Sequence, residues 1–225
     1  MIRSRMMDGR TVDANGFRLR GREVSRLEGL SDAVFGFAIT LLVVSLEVPR
    51  TAAALFEAMS GFVAFAACFA LLFFIWHCQN RFFRRYGLDD AWTVALNAVL
   101  LFVIVFFVYP LKFVFTLVIE MMGGGRPWLQ VHDGVPVLTT GQWPGLMMIY
   151  GGGYMAVFLL FALMHLNALR RADPLELSEM ERYDTMDNVR ESLLNVGIGA
   201  VSVLLLHGWM SGRARKQVQA RVAAA

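Results

Sequence analysis

The sequence predicts an all-α protein, a polytopic membrane helix bundle with five spans, on three observations. Of its 225 residues, 57% are hydrophobic and only 17% charged, with a mean hydropathy of +0.54, far more apolar than an ordinary soluble domain. The apolar residues fall in long blocks, and a helix of roughly 20 residues crosses a hydrocarbon core of about 30 Å with its backbone hydrogen bonds satisfied internally. The basic residues are divided unevenly among the hydrophilic connections, which is how a membrane protein sets its orientation.

The charge-free windows are 33–46, 58–80, 91–111, 134–169 and 192–212. The first is short, and Ser31, Asp32, Glu47 and Val48 as interfacial ends bring it near spanning length. The fourth is too long for one span; its 135–144 portion is rich in Gly, Pro and Thr and reads as loop, which puts the helix near 146–169. In the third, Tyr109, Pro110 and Lys112 predict a kink, or a stop before the apolar stretch 113–119. The connection 123–143 holds Pro127 and Pro136, and Trp128 and Trp143 suit an interfacial aromatic belt. Further on, Asp173, Pro174 and Glu176 stand at N-cap, N1 and N3 spacing and predict a short surface helix.

Seven arginines precede the first span, from Arg3 to Arg26. Arg81, Arg84 and Arg85 follow the second, and Arg170, Arg171, Arg182 and Arg190 follow the fourth, whereas the other connections hold little beyond Arg50, Lys112 and Arg126. The positive-inside rule then makes 1–26 a basic cytoplasmic tail, 27–212 the transmembrane domain and 213–225 a polar C-terminal tail, in the cell inner (plasma) membrane. The Arg-rich N-terminal stretch does not have the form of a cleavable signal. Binding to anionic lipid is a secondary reading of the same charges. Nucleic acid is not an expected partner, since no nucleic-acid-binding fold accompanies the charges.

Small residues mark packing faces: Ser60, Ala64 and Cys68 at four-residue spacing, Gly151 to Gly153, and Gly197, Gly199, Ala200 and Ser202. The Gly triplet read instead as a broken helix around an ion is the rarer alternative. Cys68 and Cys78 share one span, offer no disulfide framework and no metal spacing, and read as packing residues. No cofactor and no metal site is expected.

The stretch with functional content runs from Arg26 through Leu30, Ser31 and Asp32 to Leu41. An ionisable pair, Arg26 and Asp32, stands at the start of a spanning helix, where a carboxylate needs a partner or the helix dipole. Ser31 and Asp32 as plain N-caps is the equally weighted explanation.

This stretch resembles the Arg-x-x-x-Phe-Ser-Asp signature of the transmembrane protein 175 family of potassium channels, with Leu30 in place of the Phe. The likeness continues through Ala33-Val34-Phe35 and Ala38 to Leu42, the pair Trp76-His77 with Arg81 beyond it, and Asn97. The resemblance implies a potassium-selective channel, a homotetramer in which the first helix of each subunit surrounds the axis and closes at a hydrophobic constriction. It places the pore on Phe37, Leu41 and Val44, with Thr40 as the polar layer linked to selectivity. Helical geometry is compatible, because 37, 40, 41, 44 and 48 share one stripe. Asp32 lies on another face, about 140° from Phe37. Arg26, Ser31 and Asp32 then brace the helix through Trp76, His77 and Asn97. Bacterial members have six spans against the five read here, and five would leave Arg213, Arg215, Lys216 and Arg221 outside.

Without the resemblance, the apolar stripe is an ordinary packed face. The rival readings are a non-conducting structural or accessory membrane protein and a proton-conducting channel or transporter, in which Asp32 and His77 relay protons. An enzyme is not expected: His77, His165, His207, Cys78, Asp32 and Glu47 form no nucleophile, paired-carboxylate or metal pattern, and haem between His77 and His165 is less favoured than helix-end histidines with satisfied partners.

Overall fold

A computed structural model describes residues 12–13, 16–21, 23–44, 50–52, 55–56, 59, 61–122, 131–132, 135–136 and 142–223. It is a bundle of α1 (Arg26–Val44), α2 (Phe62–Tyr86), α3 (Ala91–Met122), α4 (Trp143–Arg170) and α5 (Glu179–Ala223), with a small antiparallel pair, β1 (Val131–His132) and β2 (Val135–Pro136), between α3 and α4. The expected all-α membrane bundle is what the chain forms. Among the described residues, four helices are long and apolar enough to span: α1, α2, 91–108 of α3 and 145–170 of α4. The fifth window, 192–212, lies within α5, whose side chains beyond 205 are outside the described residues.

Each helix end has a local cause. Ser25 and Glu28 form a capping box at the start of α1: the Glu28 amide donates to Ser25 Oγ at 3.1 Å and the Ser25 amide to Glu28 Oε1 at 3.2 Å. The helix therefore begins about two turns before the charge-free window. Gly87 ends α2 with φ 60°, its amide bonded to the Phe83 carbonyl, a left-handed cap that glycine adopts without a Cβ penalty. Asp90 at once starts α3, taking the Thr93 hydroxyl at 2.7 Å and the Trp92 amide at 3.2 Å. So short a connection makes α2 and α3 antiparallel neighbours.

One alternative at Pro110, the stop, and the expectation at Asp173 are corrected. The helix α3 runs through Pro110 to Met122 without stopping, and the Tyr150 hydroxyl of α4 donates to the Pro110 carbonyl, a tertiary tie at the proline turn. The helix expected at Asp173 does not form there. Residues 171–176 are turns, Glu176 has φ 49°, and α5 starts instead behind Ser178, whose amide donates to Glu181 Oε2 at 2.9 Å while Ser178 Oγ takes the Glu181 amide at 3.3 Å. Asp173 pairs with Arg182.

The helices α1, α2 and α3 pack on one another, α3 on α4, and α4 along α5. Phe35, Ala38, Leu42, Cys68, Leu72, Leu100, Ile104, Val108, Phe161 and Met164 fill the centre. The Gly triplet lies in unbroken helix. A Cβ on Gly153 would meet the Phe107 ring at 2.6 Å and one on Gly199 the Met155 side chain at 2.7 Å, so these positions admit close helix approach. Ala64 and Cys68 are buried as the packing reading expected. Trp128, Ser60 and Glu47, and the side chains of Trp143 and His207, lie outside the described residues.

The first helix as candidate pore site

Position along α1 decides which of its side chains meet the bundle. Glu28, Ser31, Phe35, Ala38 and Leu42 are buried, a stripe at three- and four-residue steps. Phe37 lies about 200° from Phe35 on a helical wheel, and it is 57% exposed in the single chain; Val44 is 71% exposed and Thr40 is also exposed. Leu41 sits at the border, half-buried against the core. The Thr40 hydroxyl donates to the Gly36 carbonyl at 2.9 Å, which uses its proton within the helix and leaves oxygen lone pairs on the open face.

The buried stripe is anchored by a polar node. Asn97 of α3 is fully buried and donates to Ser31 Oγ at 2.9 Å, while Ser31 donates to the Leu27 carbonyl at 2.8 Å. Gln79 of α2, 1% exposed, donates to the Asn97 side-chain oxygen. Three helices are thus joined by amides and a hydroxyl that each have a partner, as burial in a low-dielectric interior demands. One helical step away, the Trp76 indole N–H donates to Asp32 Oδ1 at 2.7 Å. Ser31 and Asp32 lie inside α1, so neither caps it.

The structure thus brings together Ser31 with Asn97 and Asp32 with Trp76. It does not bring Arg26, Leu30 or His77 into this node; all three are exposed. Gln79 was missed in the sequence because it lies inside a charge-free apolar window. The available signal is its place three residues after Trp76, on the same side of α2, whereas His77 points away.

A second polar layer closes the end of the bundle that carries Tyr86 and Glu181. Asp90 accepts from Asn167 at 3.2 Å and pairs with Arg171 at 3.2 Å. Burial pushes its carboxyl up, but the Thr93 hydroxyl and amide, Arg171 and Asn167 outweigh that and hold it below the ordinary range. Tyr86 and Thr185 share a hydrogen bond of 2.8 Å beneath His165, which bonds the Phe161 carbonyl in its own helix at 2.8 Å.

The node and the helix that carries it fall within the part of the chain that a family model matches. The endosomal/lysosomal potassium channel TMEM175 model covers residues 26–107, from the first residue of α1 to within α3. A potassium channel of Marivirga tractuosa is 37% identical over 194 residues, spanning 84% of this chain and 77% of that protein. The chain belongs to the TMEM175 potassium-channel family. A second relative, a potassium channel of Chamaesiphon minutus, is 30% identical over 96 residues, 39% of this chain and 47% of its own length. The crystal structure of the potassium channel MtTMEM175, a variant in complex with a nanobody–MBP fusion, aligns with a TM-score of 0.79 at 35% identity, covering 88% of this chain and 87% of that one. The TMEM175 family is one of ion channels rather than enzymes, and this member is a multi-pass membrane protein.

Proposed function

We propose that this chain is a potassium-selective channel, assembled as a homotetramer in which α1 of each subunit lines the pore. One observation supports the reading above others: α1 buries Ser31, Phe35, Ala38 and Leu42 against the bundle and turns Phe37, Thr40 and Val44 away from the protomer core. Four such faces around an axis would narrow at Phe37, Leu41 and Val44. A ring of these side chains excludes water when tight and wets when it widens, so gating is a dewetting equilibrium rather than movement of a carbonyl-lined filter. Thr40 adds an oxygen layer between two apolar ones. Ser31 and Asp32, held by Asn97 and Trp76, fix the rotation of α1 so that this face meets the axis. The basic distribution puts residues 1–26 on the cytoplasmic side, 27–212 in the inner membrane and 213–225 as a tail.

The test is flux from liposomes holding the purified protein. Potassium efflux exceeding sodium and proton flux is expected, and Phe37→Ala together with Val44→Asn is expected to raise it by widening and wetting the constriction. Flux at the empty-liposome level, or flux indifferent to both substitutions, removes the pore assignment; proton flux alone selects a proton path. A strict monomer in mild detergent would also overturn it.

A further inference from the structure

The segment that leads into α1 is held from two sides. Phe17 is 1% exposed, its ring edge-on to Tyr86 with centroids 5.5 Å apart and the Arg85 guanidinium 4.5 Å over its face. Asp13 accepts the Phe17 amide at 2.9 Å and pairs with Arg85 at 2.6 Å. The amides of Arg20 and Gly21 both donate to the Arg84 carbonyl, at 3.1 and 3.0 Å, and Arg84 Nη1 donates back to the Gly21 carbonyl at 3.2 Å. A Cβ at Gly21 would stand 2.5 Å from the Phe83 carbonyl oxygen, so only glycine permits this approach.

From that anchor the chain reaches across to α5. Arg20 makes a two-pronged contact with Glu181, Nη2 to Oε2 at 2.8 Å and Nη1 to Oε1 at 3.1 Å, and donates Nε to the Leu175 carbonyl at 2.7 Å. The Arg18 amide donates to Glu181 Oε1 at 2.8 Å. Both charged side chains are nearly out of solvent, at 12% and 8%, the setting in which a charge-assisted bidentate pair is strong. In the other direction only a few residues separate Gly21 from the capping box of α1, and Glu28 of that box approaches Arg84 Nε at 4.0 Å. Among the helices, α5 packs against α4 and no other to a comparable extent. Residues 17–21 are therefore a direct connection from α5 to α1, beside the Tyr86–Thr185 bond that ties α5 to α2.

We propose that residues 17–21 act as a clasp through which the Arg20–Glu181 pair couples the head of α5 to the base of α1, making Arg20 and Glu181 positioning residues for the gate. The inference rests on the reading of α1 as the pore helix. A clasp of this kind sets the angle and rotation at which α1 leaves the membrane surface. Its release changes how often the constriction opens, while the open pore itself, made by distant side chains, conducts as before.

The experiment compares the parent with Arg20→Ala, Glu181→Gln and the double variant in planar bilayers with potassium. Loss of one charge-assisted hydrogen bond is on the order of a tenfold shift in an equilibrium, so each single variant is expected to shift open probability by about that factor. The double variant should do little more, and open-channel conductance and the potassium-to-sodium ratio should stay unchanged. In parallel, hydrogen exchange in Glu181→Gln, the conservative change that keeps the fold, should quicken at the Arg18, Arg20 and Gly21 amides and in the first turn of α1 at Glu28 and Gly29. Exchange that quickens in 18–21 but not in α1, or an unchanged open probability in a variant that melts like the parent, overturns the clasp. A parent with no potassium flux instead sinks the channel reading, and the exchange result then decides alone whether the clasp positions α1.

Discussion

The two faces of α1 are built from similar residue types yet have opposite tasks. One face, Ser31, Phe35, Ala38 and Leu42, is buried and tied to α2 and α3 through Asn97 and Gln79. The other, with Leu30, Phe37, Thr40 and Val44, touches little within the chain. Stability should therefore depend on the first face and conduction on the second. A single helix can hold both because helical spacing keeps the stripes on opposite sides.

The largest expected effect breaks the packed face. Asn97→Ala removes the donor to Ser31 and the acceptor for Gln79 and leaves buried polar groups unpaired, for a loss of about 3 kcal/mol, read as a lowered melting midpoint in detergent. A midpoint within error of the parent would mean the node carries no stability. Next comes Gly153→Ala, which drives a methyl toward the Phe107 ring and should lower stability by about 2 kcal/mol. Its neighbour Gly152, with open space around it, should accept Ala with no loss and a gain of up to about 1 kcal/mol from helix propensity; equal effects at both positions would contradict this helix packing. Trp76→Phe keeps the ring but deletes the donor to the exposed carboxylate of Asp32, which water can then solvate, so about 1 kcal/mol is expected. Phe37→Ala closes the series: its stability change should stay under about 0.5 kcal/mol while potassium flux changes, and a loss as large as that of Asn97→Ala would show that Phe37 is packed after all.

Acid separates the clasp from the membrane core. Burial raises the Glu181 carboxyl, but Arg20 and the amides of Ser178 and Arg18 together bring it down to about 2. A carboxyl depressed below its unfolded value contributes stability that is complete above the ordinary carboxylate range and lost as pH falls toward 2. Protection of the Arg18 amide, its exchange corrected for the intrinsic pH dependence of amide exchange, should be full at pH 5 and above and fall progressively below about pH 4.5, with Glu181→Gln flattening that dependence. An unchanged slope in the variant would assign the acid response elsewhere, with Asp90 another depressed carboxyl among the described residues outside the spans.

The sequence by itself determined the class and the placement of the helices. Long apolar runs admit one solution in hydrocarbon, a helix that satisfies its own backbone, so 62–80 of the window 58–80 and all of 91–111 lie inside helices. The signature around Ser31 and Asp32, with Trp76 and Asn97, was also legible, because those residues carry the resemblance to the family. What only the tertiary structure decided were choices between local signals of similar strength. Asp173 and Ser178 both precede a glutamate at capping distance, and the chain caps α5 at Ser178 because Glu181 is also needed by Arg20, 161 residues away. Gln79 carries no signal of its own within an apolar run, and its partner Asn97 comes from α3. Phe17 lies in an Arg-rich stretch that reads as a solvated tail, and it is buried because Tyr86 and Arg85 meet it from a helix far along the chain. Local pattern fixes how each segment folds; which polar groups find partners depends on contacts that no window of sequence contains.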